Sequence, residues 1–140
     1  MKTFKASIPA IVIVSISLLF FSSCKKDEDK MIPPTIDFTT GAGYTSADAH
    51  IALNSAFKIG VDAKRTEDKD DLKTFIVTRS YDGTPATTID NVALTSAQAA
   101  EFAKDYNRTT RNTAGTEKYT FTVTNRDGLI TTKNITITVP

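Results

Sequence analysis

The sequence predicts an all-β domain, a two-sheet sandwich of about seven short strands, placed after a signal peptide and a flexible tether. Three observations predict it. Apolar residues recur at every second position in several stretches, which is the pattern of a half-buried strand. Turn-forming residues separate these stretches about every ten residues. One segment, near residues 96–106, is instead composed of good helix formers.

The first 23 residues have the pattern of a secretory signal peptide. Lys2 and Lys5 make its start positive, and a mostly apolar stretch follows at residues 8–21. That stretch is shorter than the roughly 20 residues that a transmembrane helix needs, and it has the length of a signal-peptide core. We therefore expect residues 1–23 to be removed from the mature protein.

Small residues and a cysteine follow the apolar stretch. Ser22, Ser23 and Cys24 resemble a lipobox, the site at which signal peptidase II cuts before a cysteine that carries lipid. Phe21 stands where leucine is usual, which departs from the pattern. The resemblance implies cleavage between Ser23 and Cys24, a diacylglyceryl group on the sulfur and a fatty acyl chain such as palmitate on the freed amine. The alternatives are an ordinary secretory signal with a chance cysteine, and an uncleaved anchor.

Residues 24–34 are rich in charge and indicate a solvated, flexible tether. The tether also resembles the start of Bacteroidota surface lipoproteins, in which acidic residues behind the lipidated cysteine act as an export signal. The resemblance implies a protein anchored in the outer membrane and facing the cell exterior. The residues of this candidate export signal are Lys25, Lys26, Asp27, Glu28 and Asp29.

The charge balance argues against one class of partner. Removal of residues 1–23 takes away two of the 17 basic residues and none of the 16 acidic ones, so about one net negative charge remains. Binding to nucleic acid requires a basic excess that neutralises phosphates. We therefore expect no nucleic acid partner. The expected partners are the membrane, through the lipid on Cys24, and an unknown protein or glycan.

Residues 35–140 have the length of one domain. Its first two thirds contain clear period-2 alternation, for instance Phe57, Ile59 and Val61 on one face of a strand, and Phe75 with Val77 on one face of another. The predicted strands in this part are 35–40, 57–63, 72–81 and 86–92, with a further short strand at Ile51 and Leu53.

One helix is predicted between the strands, near residues 96–106. Thr95 and Gln98 have the spacing of a capping box, and alanines follow. Phe102 and Tyr106 are four residues apart, so they would share one face of a helix. We expect this helix to pack Phe102 against one end of a sheet.

The last third predicts a β-hairpin. Tyr119, Phe121 and Val123 alternate with polar residues, and Ile135, Ile137 and Val139 do the same after a turn. Asp127-Gly128 between them is a strong hairpin turn signal. Each strand then has one apolar face and one face rich in threonine.

The hairpin carries a resemblance to a known fold family. Residues 115–128 and 135–139 resemble the last two strands of bacterial immunoglobulin-like domains of the PKD-like and cadherin-like kinds, and residues 57–81 resemble strands B and C of such domains. The whole chain is similar to small Bacteroidota surface lipoproteins with a single domain of this kind. The resemblance implies an immunoglobulin-like sandwich over residues 35–140. It implies a location rather than an activity, because sandwiches host many functions.

The sequence offers little catalytic chemistry. His50 is the single histidine, no Gly-x-Ser-x-Gly elbow occurs, and Cys24 is assigned to lipid. We therefore expect no enzyme and no cofactor. A small hydrolase that uses His50 or a pair of carboxylates is a remote alternative.

Acidic residues near one loop are candidate calcium ligands, because cadherin-like domains bind calcium through loop carboxylates. No EF-hand spacing occurs, and Lys64, Arg65 and Lys69 lie among the acids and offset their charge. The alternative interpretation is a solvated turn. The candidate ligands are Asp62, Asp68, Asp70 and Asp71.

The expected function is that of a membrane-anchored binding or accessory module without catalysis, and the alternative is a surface glycan-binding lipoprotein. Aromatic faces stack on sugar rings, and the chain contains no tryptophan. Tyr44, Tyr81 and Tyr106 are the candidate ligand contacts, since Tyr119 alternates with the core residues. For each of the three, the alternative is a partly buried residue at the rim of the core.

Overall fold

A computed structural model describes residues 30–140. The signal peptide, its cleavage site, Cys24 and the candidate export signal lie outside the described residues. The described chain forms eight strands and one short 3-10 helix at Ser96–Gln98. The strands are β1 (Thr35–Phe38), β2 (Ala49–His50), β3 (Ala56–Lys64), β4 (Leu72–Tyr81), β5 (Thr87–Ala93), β6 (Glu101–Thr109), β7 (Gly115–Asn125) and β8 (Ile130–Val139).

The strands form two sheets. The smaller sheet has the order β1-β3-β6, and the larger has the order β2-β8-β7-β4-β5. All neighbours are antiparallel except β2 and β8, which are parallel. The order places β1, β3 and β6 where an immunoglobulin domain has strands A, B and E, and β4, β7 and β8 where it has C, F and G. The predicted all-β sandwich is therefore confirmed.

The core lies between the inner faces of the two sheets. Phe121 is near its centre, because its ring lies 5.5 Å from that of Phe38, 5.6 Å from that of Tyr106 and 6.4 Å from that of Phe75. The inner face of each strand is the apolar half of its alternation, as expected for period-2 patterning. The least exposed large side chains include Tyr119, Phe75, Phe121, Ile36, Ile59, Ile135 and Ile137.

The predicted hairpin is confirmed as β7 and β8. Its ten registered pairs run from Gly115 with Val139 to Thr124 with Ile130, and the turn contains Asp127-Gly128. The hairpin could be predicted because its turn and its alternation are both local in sequence. Its threonine-rich face forms part of the outer surface of the larger sheet.

The predicted helix near residues 96–106 is wrong over most of its length. The 3-10 helix ends at Gln98, and Glu101–Thr109 form β6, which pairs with β3 along its whole length. Phe102 and Tyr106 do share a buried face, because a spacing of four is even and also keeps two residues on one side of a strand. Sheet pairing with β3 therefore overrides the helix propensity of the alanines.

A second correction concerns the short strand expected at Ile51 and Leu53. The strand lies two residues earlier, at Ala49–His50, and Leu53 is 42% exposed. The Ile51 amide still donates a hydrogen bond to the Thr138 carbonyl at 3.0 Å. The contact of this segment with β8 therefore extends one residue beyond the strand Ala49–His50. The eighth strand of the sandwich in residues 30–140, beyond the seven predicted, is β6, which the sequence predicted as a helix.

The residues before β1 lie against one end of the sandwich. The Thr66 hydroxyl donates to the Pro33 carbonyl at 2.6 Å, and the Thr131 hydroxyl donates to the Pro34 carbonyl. Thr35 opposes Lys64, the last residue of β3. The first residues of β3, beginning with Ala56, therefore lie at the opposite end, about 25 Å away at the usual strand rise. Among residues 30–140 the structure has no helix long and apolar enough to cross a membrane.

Candidate binding cleft

A cleft opens at the end of the sandwich opposite to the residues before β1. It is shallow and open to solvent, with a volume of about 570 Å³. Both sheets contribute to it, through the start of β3 and the end of β6 on one side and β4 on the other. We call it the arginine cleft, and it is lined by Gly43, Ala56, Phe57, Lys58, Arg79, Asn107, Arg108 and Thr109.

Register places one arginine in each sheet beside a pair of stacked rings. Arg108 on β6 opposes Phe57 on β3, and Arg79 on β4 opposes Tyr119 on β7. The rings of Phe57 and Tyr119 meet across the sandwich at 5.8 Å, edge to face. The two arginines therefore flank one aromatic contact from facing sheets.

Both arginines occupy inward-facing positions. Arg79 follows Phe75 and Val77 at spacings of two, and Arg108 follows Tyr106 in the same way. At the end of the sandwich these positions meet the cleft instead of the core. The side chains are half-buried, and the Nε atom of each is enclosed without a hydrogen-bond partner in residues 30–140.

Arg79 and Arg108 have no ion-pair partner within residues 30–140, unlike the other arginines there. Arg65 pairs with Asp71 at 2.8 Å, and Arg111 pairs with Asp82 at 2.6 Å. Arg79 and Arg108 contact rings instead, with the guanidinium carbon of Arg79 4.6 Å from the centre of the Tyr81 ring and that of Arg108 5.8 Å from the centre of the Tyr106 ring.

An ion pair joins the two sheets beside the cleft. Lys104 on β6 lies 2.6 Å from the Asp90 carboxylate on β5, and the Tyr106 hydroxyl donates to the same oxygen at 2.9 Å. The bond from Lys104 lowers the pKa of Asp90, while burial and then the bond to Asp90 raise the pKa of Tyr106. A smaller cleft of about 350 Å³ surrounds these residues and shares Asn107 and Arg108 with the arginine cleft.

Tyr44 and Lys58 form the rim next to Gly43. The Tyr44 hydroxyl donates to Asp105 at 3.0 Å, and the Lys58 ammonium lies 4.5 Å from the centre of the Tyr44 ring and 3.7 Å from Asp105. The charge of Lys58 is thus balanced by Asp105, and that of Lys104 by Asp90. The uncompensated positive charge of the cleft comes from Arg79 and Arg108.

The three tyrosines predicted as ligand contacts do not form one surface. Tyr106 is 5% exposed and belongs to the core, so its prediction as an exposed contact is wrong. Tyr44 and Tyr81 are half-buried, and each ring is covered by a cation: Lys58 over Tyr44, and Arg79 with Arg111 over Tyr81. Tyr119 is buried, as its alternation predicted.

The four candidate calcium ligands do not form one site, although Asp68 and Asp71 both contact Arg65, at 3.5 Å and 2.8 Å. Asp62 pairs with Lys64 at 3.1 Å on the smaller sheet, and Asp71 pairs with Arg65 in the β3–β4 loop. Asp70 is buried and lies 3.7 Å from Arg126. Among residues 30–140, no three His, Cys, Asp or Glu side chains are grouped so that they could hold a metal ion.

His50 is exposed on the short strand β2.

Sequence reasoning missed the arginine cleft. Its signal was visible in β4, because Arg79 continues the inward-facing set of Phe75 and Val77, and a charge at such a position indicates the end of the core. The signal was hidden in β6, because the helix prediction assigned Arg108 no inward face.

The fold is shared with solved structures. No family model matches the chain, and no curated protein matches it. A superoxide reductase (neelaredoxin) from Ignicoccus hospitalis is similar with a TM-score of 0.52 and 10% identity, over 78% of this chain and 81% of that chain. A variant of that reductase gives a TM-score of 0.52 at 12% identity, over 77% of this chain and 80% of that one. A β-glucosidase from Listeria innocua is similar with a TM-score of 0.43 and 12% identity, over 75% of this chain but 16% of that one.

The likeness to superoxide reductase corrects the expectation that the chain is not an enzyme. That expectation treated an immunoglobulin-like sandwich without a familiar catalytic set as a scaffold for binding alone. The same sandwich forms an enzyme in the reductase, so the fold contradicts that reasoning. At 10% identity the likeness establishes the shared fold and assigns no activity.

Proposed function

We propose that this protein is a lipid-anchored lipoprotein of the outer membrane, displayed on the cell surface, that serves as a binding or accessory module. The anchor is Cys24, and the surface location follows from the acidic tether behind it. One observation of the fold supports this proposal best: the residues before β1 and the arginine cleft lie at opposite ends of the sandwich.

This arrangement suits a displayed module. From Cys24 to Pro33 the chain reaches at most about 35 Å when extended. The end of the domain that contacts Pro33 and Pro34 then faces the membrane, and the arginine cleft faces away from it, together with the β4–β5 turn and the β6–β7 loop. Loops held by a rigid scaffold are the usual place for recognition.

Protease treatment of intact cells tests the surface location. A displayed domain is cleaved by added protease while a periplasmic control protein is not, and a Cys24→Ser variant is no longer retained in the membrane fraction. Complete protection of the domain in intact cells, with cleavage only after lysis, would place it in the periplasm and contradict the proposal.

Glycan binding is the second candidate function, and the lining of the cleft favours it. The guanidinium N–H groups of Arg79 and Arg108 suit the hydroxyl groups of a sugar, and Asn107 and Thr109 form a polar edge on the outer side of β6. Stacking on exposed tyrosines does not support it, since Tyr44 and Tyr81 are covered by cations. A glycan array probed with the mature protein tests this candidate, and an array without any signal would contradict it.

A further inference from the structure

We infer that the arginine cleft binds a small ligand through an anionic group, a carboxylate, sulfate or phosphate, held between Arg79 and Arg108. The inference rests on the proposed binding function and names the class of its ligand. It starts from the register of the sheets, which brings two inward-facing arginines to one cleft from opposite sides of the sandwich.

The first argument is the charge balance. Lys58 and Lys104 each have a carboxylate within 4 Å, Asp105 and Asp90 respectively. Arg79 and Arg108 have none within 4 Å in residues 30–140, and Arg79 reaches the Glu117 carboxylate only through the Tyr119 hydroxyl. Charges that are partly withdrawn from water are costly unless they are paired. An anion in the cleft would pair them.

The second argument is the hydrogen-bonding capacity of the two guanidinium groups. The guanidinium carbon of each lies near a tyrosine ring, 4.6 Å from the centre of the Tyr81 ring for Arg79 and 5.8 Å from that of Tyr106 for Arg108. A guanidinium has five N–H donors, so a ring contact, and for Arg79 the interaction with the Tyr119 hydroxyl, leave donors for a ligand. Planar N–H pairs match the oxygen pairs of carboxylate, sulfate and phosphate groups, and such bonds are short and strong.

The third argument concerns the size and composition of the site. The volume of about 570 Å³ exceeds what a single inorganic anion needs and lies in the range of sites for small organic ligands. Phe57 gives it an apolar patch, and Asn107 and Thr109, whose side chains alternate with that of Arg108 and face the outer side of β6, form its polar edge. An acidic saccharide, a uronate or a sulfated sugar, combines an anionic group with hydroxyl groups and fits this lining.

The experiment measures binding to the full mature protein, purified from membranes in detergent, by isothermal titration calorimetry. The probes are a galacturonic acid trisaccharide, a sulfated disaccharide, inorganic phosphate and a neutral glucose trisaccharide. The variants are Arg79→Gln and Arg108→Gln. A third variant, Arg108→Lys, keeps the positive charge but removes the planar guanidinium group, so it separates the effects of the two. Lys133→Gln is the matched control, because it removes one positive charge from an exposed pair with Asp37 that lies outside the cleft.

We expect at least one anionic probe to bind and the neutral trisaccharide not to bind. Each glutamine variant should weaken binding by about tenfold, with a smaller loss for Arg108→Lys and none for Lys133→Gln. A response to the uronate, the sulfated sugar or phosphate identifies which anionic group is held. Thermal melting of each variant shows whether it is folded.

Two results would overturn the inference. One is the failure of every anionic probe to bind at millimolar concentration. The other is equal binding of neutral and acidic saccharides, unchanged in the two glutamine variants. The second result would leave the proposed surface-binding function intact, because sugar would still bind. Failure of the protease experiment would contradict the surface location, but it would not change the charge preference of the cleft.

Discussion

Asp90 on β5 and Lys104 on β6 form an ion pair of 2.6 Å that connects the free edges of the two sheets. The Tyr106 hydroxyl donates to the same carboxylate oxygen, so a core ring and a surface cation share one acceptor. This pair closes the sandwich on the side where β5 and β6 have no further strand in residues 30–140. It also fixes the position of β6, and with it Arg108, relative to the larger sheet.

The first prediction concerns the pH dependence of this pair. The pKa of Asp90 is lowered, chiefly by the bond from Lys104, so its contribution to stability is present above its unfolded value near 3.8 and is lost as pH falls through the folded value. We expect Asp90→Asn to reduce the free energy of unfolding by about 1 kcal/mol at pH 7. Urea unfolding at pH 7 and at pH 2.5 measures the difference, which should be smaller at the lower pH. An equal difference at both values would contradict the assignment.

The second prediction concerns Gly115, where β7 begins. Its φ of +140° is unfavourable for other residues, and an added Cβ would clash with the Arg111 guanidinium and the Asp82 carboxylate. We expect Gly115→Ala to cost about 1–2 kcal/mol from backbone strain, with a further loss from displacement of the Arg111–Asp82 ion pair. Chemical denaturation of the variant measures this loss.

Gly83→Ala is the matched control for that substitution. Gly83 also has a positive φ, of +75°, but a Cβ there meets nothing within 4 Å. Gly83→Ala should therefore reduce the free energy of unfolding by about 1 kcal/mol, from backbone strain alone. Equal losses for the two variants would show that the contact with Arg111 and Asp82 contributes nothing.

The third prediction concerns acid stability at the same corner. Asp82 accepts bonds from the Arg111 guanidinium and from the Thr116 amide, both at 2.7 Å, and these lower its pKa to about 2. Its contribution is complete above the usual value of 3.8 and disappears as pH falls through about 2. An NMR titration of the Asp82 carboxyl should give a midpoint near 2, and this midpoint should rise toward 3.8 in Arg111→Gln. A midpoint that stays near 2 in the variant would contradict the role of Arg111.

The fourth prediction concerns Glu117, which is fully buried. Its carboxylate accepts the Tyr119 hydroxyl and the Arg111 amide, each at 2.8 Å. We expect Glu117→Leu to cost about 3 kcal/mol, because it leaves two buried donors without an acceptor. Glu117→Gln keeps one acceptor oxygen and should cost about half as much. Urea unfolding of both variants checks the order, and a leucine variant as stable as the glutamine variant would contradict it.

The parts of the fold that the sequence predicted are those with local causes. The β7–β8 hairpin follows from Asp127-Gly128 and from alternation on both sides of it. The bounds of β4 were predicted as 72–81 because Phe75 and Val77 share one face of a strand and Asp82-Gly83 forms the turn that follows it. The helix prediction failed at β6, where Phe102 and Tyr106 satisfy both periodicities and pairing with β3, some 40 positions away in sequence, decides between them.

The arginine cleft could not be predicted in the same way. It exists because Phe57 opposes Arg108 while Arg79 opposes Tyr119, and both pairings are registers between strands that are distant in sequence. A one-residue shift in either pairing would move an arginine to the outer face of its sheet. The inward position of Arg79 was readable from β4 alone, but its partner across the sandwich was not.

Cys24 is the residue on which the proposed location depends, because a lipid there would hold the domain at the membrane with the arginine cleft facing away from it. Mass spectrometry of the N-terminal peptide of the native protein, isolated from membranes, tests it. The account predicts a chain that begins at Cys24 and carries diacylglyceryl and acyl groups. A chain that retains Met1, or an unmodified Cys24, would contradict it.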